Sequence, residues 1–264
     1  MTPRTLRLSD GASVRLLEEG RGEPLLLVHG VGLRAEAWGP QIADLGRDVR
    51  VLAADMPGHG DSAPLPLSAR LPDFVAWAAR VIEALGLGPV NVAGHSMGAL
   101  IAGGLAVERP DLVRRVALLN AVHRRTPEAR AAVLARADQI ARGDTDPEAP
   151  LARWFGPGDE SARRQVAGWL GAVDARGYAT AYRAFAEGDA VYAGRLADIR
   201  CPALVLTGDG DANSTASMSR DMAAAMPQGR AVVIEGHRHM VNLTAPDTVT
   251  AALRDWLSRP EVPA

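Results

Sequence analysis

The feature that most constrains this 264-residue chain is a series of short, unbroken apolar runs separated by helical segments. The run Leu25-Leu26-Leu27-Val28 stops abruptly at His29-Gly30, residues 49–53 and 90–93 are similar with one polar member each, and 113–119 reads as a further strand. A strand with one wet face alternates apolar and polar residues. A run with almost no polar member suits a strand covered on both faces, as in a parallel sheet. Between two such runs, residues 72–85 place Phe74, Val75, Trp77, Ala78, Val81, Ile82 and Leu85 at helical spacing, and Gly86 and Gly88 end the segment. The alternation continues with a helix over 99–107, strands over 203–206 and 231–234, and helices over 217–226 and 247–257. Strands alternating with helices predict βαβ units. Residues 5–8 and 13–17, split by Asp10-Gly11, predict a leading hairpin.

Residues 123–198 break the rhythm. They contain no convincing strand, and 127–142, 160–171 and 175–187 read as helices around turn-rich breaks at 143–150 and 156–159. The expectation is a helical lid over 123–198, set on a core built from 1–122 and 199–264. A composition 47% hydrophobic and 23% charged suits a chain of this length with a sizeable buried core. A net charge of -2 gives no basis for nucleic acid or an anionic membrane as partner. Cys201 is the one cysteine, which excludes an intrachain disulfide and a paired-cysteine metal site. There is no apolar signal segment near the start and no run of 18 apolar residues. The reading is a cytoplasmic protein acting on a small molecule, with no membrane partner; oligomeric state is not legible.

Gly94-His95-Ser96-Met97-Gly98 lies between the strand at 90–93 and the helix at 99–107. That context puts a serine on a sharp strand-to-helix turn, hydroxyl exposed, with helix N-terminal amides behind it for a developing oxyanion. A serine nucleophile needs a base and a group to orient the base. Both have candidates late in the chain, each just after a strand, where ligands bind in open α/β sheets. Asp209 and Asp211 follow the strand at 203–206; His237 and His239 follow the strand at 231–234. On spacing alone each pair stays open. His29-Gly30-Val31-Gly32 follows the strand at 25–28, where a second amide donor belongs, so the oxyanion donors read as the N–H groups of Val31 and Met97.

These residues resemble the α/β-hydrolase family over nearly the whole chain. The resemblance lies in His29-Gly30-x-Gly32, Asp55-x-x-Gly58-x-Gly60-x-Ser62, Gly94-x-Ser96-x-Gly98, Cys201-Pro202-x-Leu204-Val205-Leu206-x-Gly208-x-x-Asp211 and Gly236-x-x-His239-Met240. It implies an α/β-hydrolase fold: a mostly parallel sheet of about eight strands flanked by helices, with the lid inserted after the sixth strand. It also favours Asp211 over Asp209, and His239 over His237. Some members carry the acid one strand earlier, but here Asn120 closes that strand. The segment from His29 to Trp38 resembles small esterases and lactonases, including 3-oxoadipate enol-lactonase. A serine at the elbow argues against haloalkane dehalogenases and epoxide hydrolases, which place aspartate there.

The implied function is hydrolysis of a carboxylic ester or lactone by a Ser96–His239–Asp211 triad, without cofactor or metal. Two alternatives accompany it: C–C bond hydrolysis of a β-diketone-like substrate or cofactor-free perhydrolysis on the same triad, and a low-turnover ligand-binding protein. His29, Asp55 and His59 read as braces of the glycine-rich loops, and Cys201 as a buried small hydrophobe. Trp154, Trp169, Tyr178, Tyr182 and Phe185 read as lid core, one or two of them facing a pocket; His123 has no assigned part.

Overall fold

The computed structural model describes residues 1–260. Its strands are β1 (Thr2–Arg7), β2 (Ser13–Glu19), β3 (Pro24–Val28), β4 (Arg50–Ala54), β5 (Val90–His95), β6 (Val113–Leu119), β7 (Ala203–Gly208) and β8 (Gly229–Ile234). They form one sheet in the order β1-β2-β4-β3-β5-β6-β7-β8. β1 and β2 form an antiparallel hairpin and β2 runs antiparallel to β4; the other neighbours are parallel. The hairpin turns where the sequence places Asp10-Gly11, with Gly11 at φ 85° and the Asp10 carboxylate accepting from the Ala12 amide. This is an α/β-hydrolase fold.

The unbroken apolar runs have a direct physical use. Side chains alternate across a strand, so Leu25 and Leu27 of β3 enter one layer while Leu26 and Val28 enter the other. The first layer packs on α1 (Gly39–Leu45) and α10 (Pro246–Leu257) through Ile42, Leu45, Val249, Leu253 and Trp256. The second packs on α2 (Leu71–Leu85), α3 (Met97–Glu108) and α8 (Ala216–Ala225) through Phe74, Ile82, Ile101, Leu105 and Met222. Helix α3 lies under the middle of the sheet and is buried almost all round, which its sequence Met-Gly-Ala-Leu-Ile-Ala-Gly-Gly-Leu-Ala-Val permits.

Between β6 and β7 stand four helices: α4 (Pro127–Ala141), α5 (Glu148–Trp154), α6 (Glu160–Ala172) and α7 (Ala175–Gly188). Thr126 caps α4 by accepting from the Ala129 amide, and Asp174 caps α7 by accepting from Gly177. A small apolar cluster of Leu151, Trp154, Phe155 and Val166 with Leu33, Ala37 and Met240 ties this insertion to the loops above the sheet. Helix α5 starts inside the stretch read as a turn-rich break at 143–150. Seven residues are too few to display a helical period, and α1 escaped the reading for the same reason. A four-residue helix, α9 (Val241–Thr244), follows the loop after β8.

Candidate active site

The order in which strands join the sheet reverses at β3 and β5, which run parallel and hydrogen-bond to each other with β4 outside β3. Loops leaving neighbouring strands at such a switch point diverge and leave a crevice at the carboxyl ends. Here the loops are His29–Gly32 from β3 and the elbow from β5.

At the elbow Ser96 has φ 55° and ψ -115°, a conformation a side chain rarely adopts. Its amide donates to the Leu119 carbonyl at 2.8 Å, which anchors the turn to β6. The flanking glycines have no room for a side chain. A Cβ on Gly94 would lie 2.0 Å from the Gly98 carbonyl oxygen, and one on Gly98 would lie 2.1 Å from that of Val28. Strand, turn and helix therefore close on one another at backbone contact distance, and the surroundings hold the serine in its strained state.

The two candidate acids separate cleanly. Asp211 is buried, and its Oδ2 lies 2.7 Å from His239 Nδ1. Oδ2 also accepts from Asn120 Nδ2 at 2.8 Å, while Oδ1 accepts from the amides of Asn213 at 2.9 Å and Ser214 at 3.1 Å. Burial alone would raise this carboxyl. The facing His239, with the bonds from Asn120 and Asn213, outweighs it and holds the pKa below the ordinary carboxylate value. Asp209 is exposed, and among the described residues its carboxylate accepts only from the Gly236 amide. The histidines separate likewise: His237 Nδ1 is paired with Thr244 Oγ1 at 2.9 Å, and His237 does not line the cavity that holds Ser96. His239 is buried, stacks on Trp154 with centroids 5.5 Å apart, and lines the same cavity as Ser96. The structure thus brings Ser96, His239 and Asp211 to one place.

Val31 lines this cavity, and Met97 opens α3. Neither amide donates a hydrogen bond among the described residues. The loop carrying Val31 is held by two buried histidines. The Met56 amide donates to His29 Nε2 at 2.9 Å, so the ring proton sits on Nδ1 and is donated to the Gly30 carbonyl. The Gly32 amide donates to His59 Nε2 at 2.9 Å, and His59 Nδ1 donates to the Pro57 carbonyl. Burial pushes the His29 pKa down to about 4 and that of His59 to about 3. Asp55 completes the brace, accepting from the Ala35 amide and from Arg15.

Two residues next to the candidates carry more than their sequence positions suggested. Asn120, at φ 50° past the end of β6, orients the Asp211 carboxylate. His95 lies beside the His239 ring and donates from Nε2 to the His239 carbonyl at 2.8 Å, tying the elbow to the histidine loop. The only advance signal for Asn120 was a polar residue closing an apolar strand. Of the aromatic residues in the insertion, Trp154, Tyr178, Tyr182 and Phe185 all line the cavity, more than the one or two expected. The cavity measures about 300 Å³, a size for a small molecule. Among the described residues, no three His, Cys, Asp or Glu side chains are grouped to hold a metal ion, and no helix is long and apolar enough to cross a membrane.

Elbow, switch-point crevice and acid-oriented histidine together define a hydrolase, and comparison with known proteins identifies the family. Residues 25–252 match the model of the alpha/beta hydrolase family, and the chain belongs to it. Over 259 residues it is 53% identical to the (E)-2-((N-methylformamido)methylene)succinate hydrolase of Acinetobacter baylyi, covering 97% of this chain and 98% of that one. Among solved structures, a thermophilic esterase from Thermogutta terrifontis, determined with malate bound, superposes with a TM-score of 0.88 at 26% identity, covering 97% of this chain and 98% of the esterase. The enol-lactonase from Burkholderia xenovorans superposes with a TM-score of 0.87 at 25% identity, covering 97% and 100%.

Proposed function

We propose that this hydrolase cleaves a carboxylic ester, lactone or comparably activated acyl bond of a small molecule through a Ser96–His239–Asp211 triad. The observation that carries the reading is the 2.7 Å contact of His239 Nδ1 with the buried Asp211 carboxylate, behind a strained serine on the same cavity wall. His239 Nδ1–H donates to Asp211, which leaves Nε2 free to take the Ser96 hydroxyl proton as Oγ attacks the acyl carbon. The amides of Val31 and Met97 receive the tetrahedral oxyanion, each worth about 3 kcal/mol in the transition state. His239 returns the proton to the leaving group, then activates water to release the acid from the acyl-enzyme. In this reading residues 123–198 act as a lid, because the cavity walls come from the insertion as well as from the core.

A second reading follows from the 53% identical relative. Its substrate name contains an N-methylformamido group on a vinylic carbon, so the bond cleaved here would be an amide whose leaving group is an enamine. The triad steps are unchanged. A fluorophosphonate probe tests the nucleophile: it is expected to label the wild type and not Ser96→Ala, and equal labelling of both sinks the triad. Parallel assays on p-nitrophenyl acetate, a lactone, an N-formyl enamide and a β-diketone then separate the bond types. Cleavage of the diketone alone overturns the acyl reading.

A further inference from the structure

The cavity that holds Ser96 has a charge character that the triad does not use. Three arginines line it, Arg125, Arg136 and Arg153, and no aspartate or glutamate does. This stands against a chain whose net charge is -2. A low-dielectric cleft lined by one sign of charge concentrates ligands of the other sign.

The three guanidinium groups are only partly compensated by internal carboxylates. Arg125 has a side chain 4% exposed and pairs with Asp189 at 3.2 Å, but Asp189 also serves Arg130 at 3.2 Å, so one carboxylate answers two cations. Arg125 also stacks over the Phe185 ring at 4.4 Å, and its Nη2 is buried with no acceptor among the described residues. A buried charged donor without an acceptor is costly, so Arg125 stands behind the cavity lining as a cation that its shared carboxylate only partly compensates. Arg136 rests on the Asp146 carbonyl at 2.8 Å and on Gln139, and its only carboxylate neighbour among the described residues is Asp144 at 3.9 Å. Arg153, exposed on α5, has no carboxylate partner among the described residues. All three line the cavity together with Tyr182, whose phenol pKa is raised by burial and opposed by the positive charge of Arg153, Arg136 and Arg125. The hydroxyls of Tyr178 and Tyr182 make no hydrogen bond among the described residues and add donors to the same wall.

We infer that this wall is a carboxylate-binding subsite, with Arg153 and Arg136 as the contacting cations and Arg125 behind them, and that the hydrolase acts on acyl compounds bearing at least one further carboxylate. Guanidinium forks match carboxylates in two-point geometry, and at about 300 Å³ the cavity suits a short dicarboxylic skeleton rather than a long acyl chain. The inference rests on the reading of this cavity as the reacting site.

Isothermal calorimetry on the wild-type protein tests it with succinate, which has no bond to hydrolyse. The expected result is succinate binding that weakens with added salt, with neutral succinamide binding at least about tenfold more weakly. Arg153→Gln and Arg136→Gln are each expected to raise the succinate Kd about tenfold, and Arg153→Lys to restore part of the loss. Unchanged thermal melts establish that the variants are folded. Equal affinity for succinate and succinamide, no binding of succinate, or tighter binding of inorganic phosphate than of succinate overturns the assignment. The two readings fail separately. Succinate binding without fluorophosphonate labelling of Ser96 retains the subsite and removes the triad; labelling without succinate binding does the reverse.

Discussion

Replacing Asp211 by asparagine puts the triad to its hardest test, because the surroundings of this side chain leave an amide no good orientation. Oδ2 takes donors from His239 and Asn120, and Oδ1 takes donors from the amides of Asn213 and Ser214. If the new amide turns its oxygen toward His239, its NH₂ faces two backbone N–H groups. If it turns its nitrogen toward His239, that NH₂ meets the Asn120 donor, and His239 must accept at Nδ1. The ring proton then moves to Nε2, which can no longer take a proton from Ser96. The wrong tautomer costs a serine triad about 10⁴ in kcat, or roughly 5 kcal/mol of transition-state stabilisation. The mismatched donors cost about 1–3 kcal/mol of stability, a Tm drop of several degrees for a chain of this size. The assay is kcat/KM for p-nitrophenyl acetate at a temperature where the melt shows the variant folded, with Asp209→Asn as control. Asp209 is exposed and braces only the Gly236 amide, so its variant is expected within about twofold of wild type. A folded Asp211→Asn that keeps more than a tenth of the wild-type rate, or an Asp209→Asn that loses as much, refutes the reasoning.

Three further outcomes follow from the same geometry. Gly98→Ala drives a Cβ to within 2.1 Å of the Val28 carbonyl and 2.7 Å of that of His29, both in backbone that cannot give, so urea melts should register a loss above about 4 kcal/mol or no folded protein at all; wild-type stability would contradict the close approach. Trp154→Ala removes a buried indole stacked on His239, and is expected to cost about 3 kcal/mol of stability and to lower kcat/KM about tenfold, measured by melts and p-nitrophenyl acetate turnover. For pH, burial lowers the pKa of His29 to about 4 and of His59 and His95 to about 3, against about 6.5 unfolded. Between those values the unfolded chain binds the extra protons, so stability is lost as pH falls: at pH 5 about 2 kcal/mol per histidine relative to pH 8, read as a lower urea midpoint, and an unchanged midpoint counts against neutral buried imidazoles.

What the sequence revealed depended on how local the signal was. The runs that became β3, β5, β6 and β7 were legible because burial on both faces removes nearly every polar residue, and that shows within four or five positions. The elbow was legible because both glycines and the serine fall within five consecutive residues between a strand and a helix. Helix α5 and the start of β1 at Thr2 were missed because one is too short for a period and the other is an exposed edge. Asn120 was read only as the residue that closes a strand. Its bond to Asp211 spans 91 residues and exists only once β6 and β7 lie side by side. The arginine wall was hidden for a related reason. In a chain whose basic residues are all arginine, Arg125, Arg136 and Arg153 look like any other surface charge until the insertion folds back over Ser96.

The histidines show how the site is kept in shape. His29 receives an amide from the loop after β4, His59 receives one from the loop after β3, and His95 donates to the loop after β8. Each links the loop it belongs to with a different one, and each does so as a neutral ring, one nitrogen giving its proton to a carbonyl. For His29 and His59 the other nitrogen accepts, so protonation destroys a loop-to-loop bond as well as placing a charge in a buried setting. These bonds hold the backbone that carries Val31 and His239, whereas the sheet depends on none of them. Acid should therefore loosen the loop carrying Val31 before it melts the core. Fluorophosphonate labelling of Ser96 is then expected to fall between pH 5 and pH 3, as the pH nears the folded-state values of about 4 and about 3, more steeply than the far-ultraviolet circular dichroism, and coincident loss of the two signals would mean that the loops and the sheet unfold as one unit.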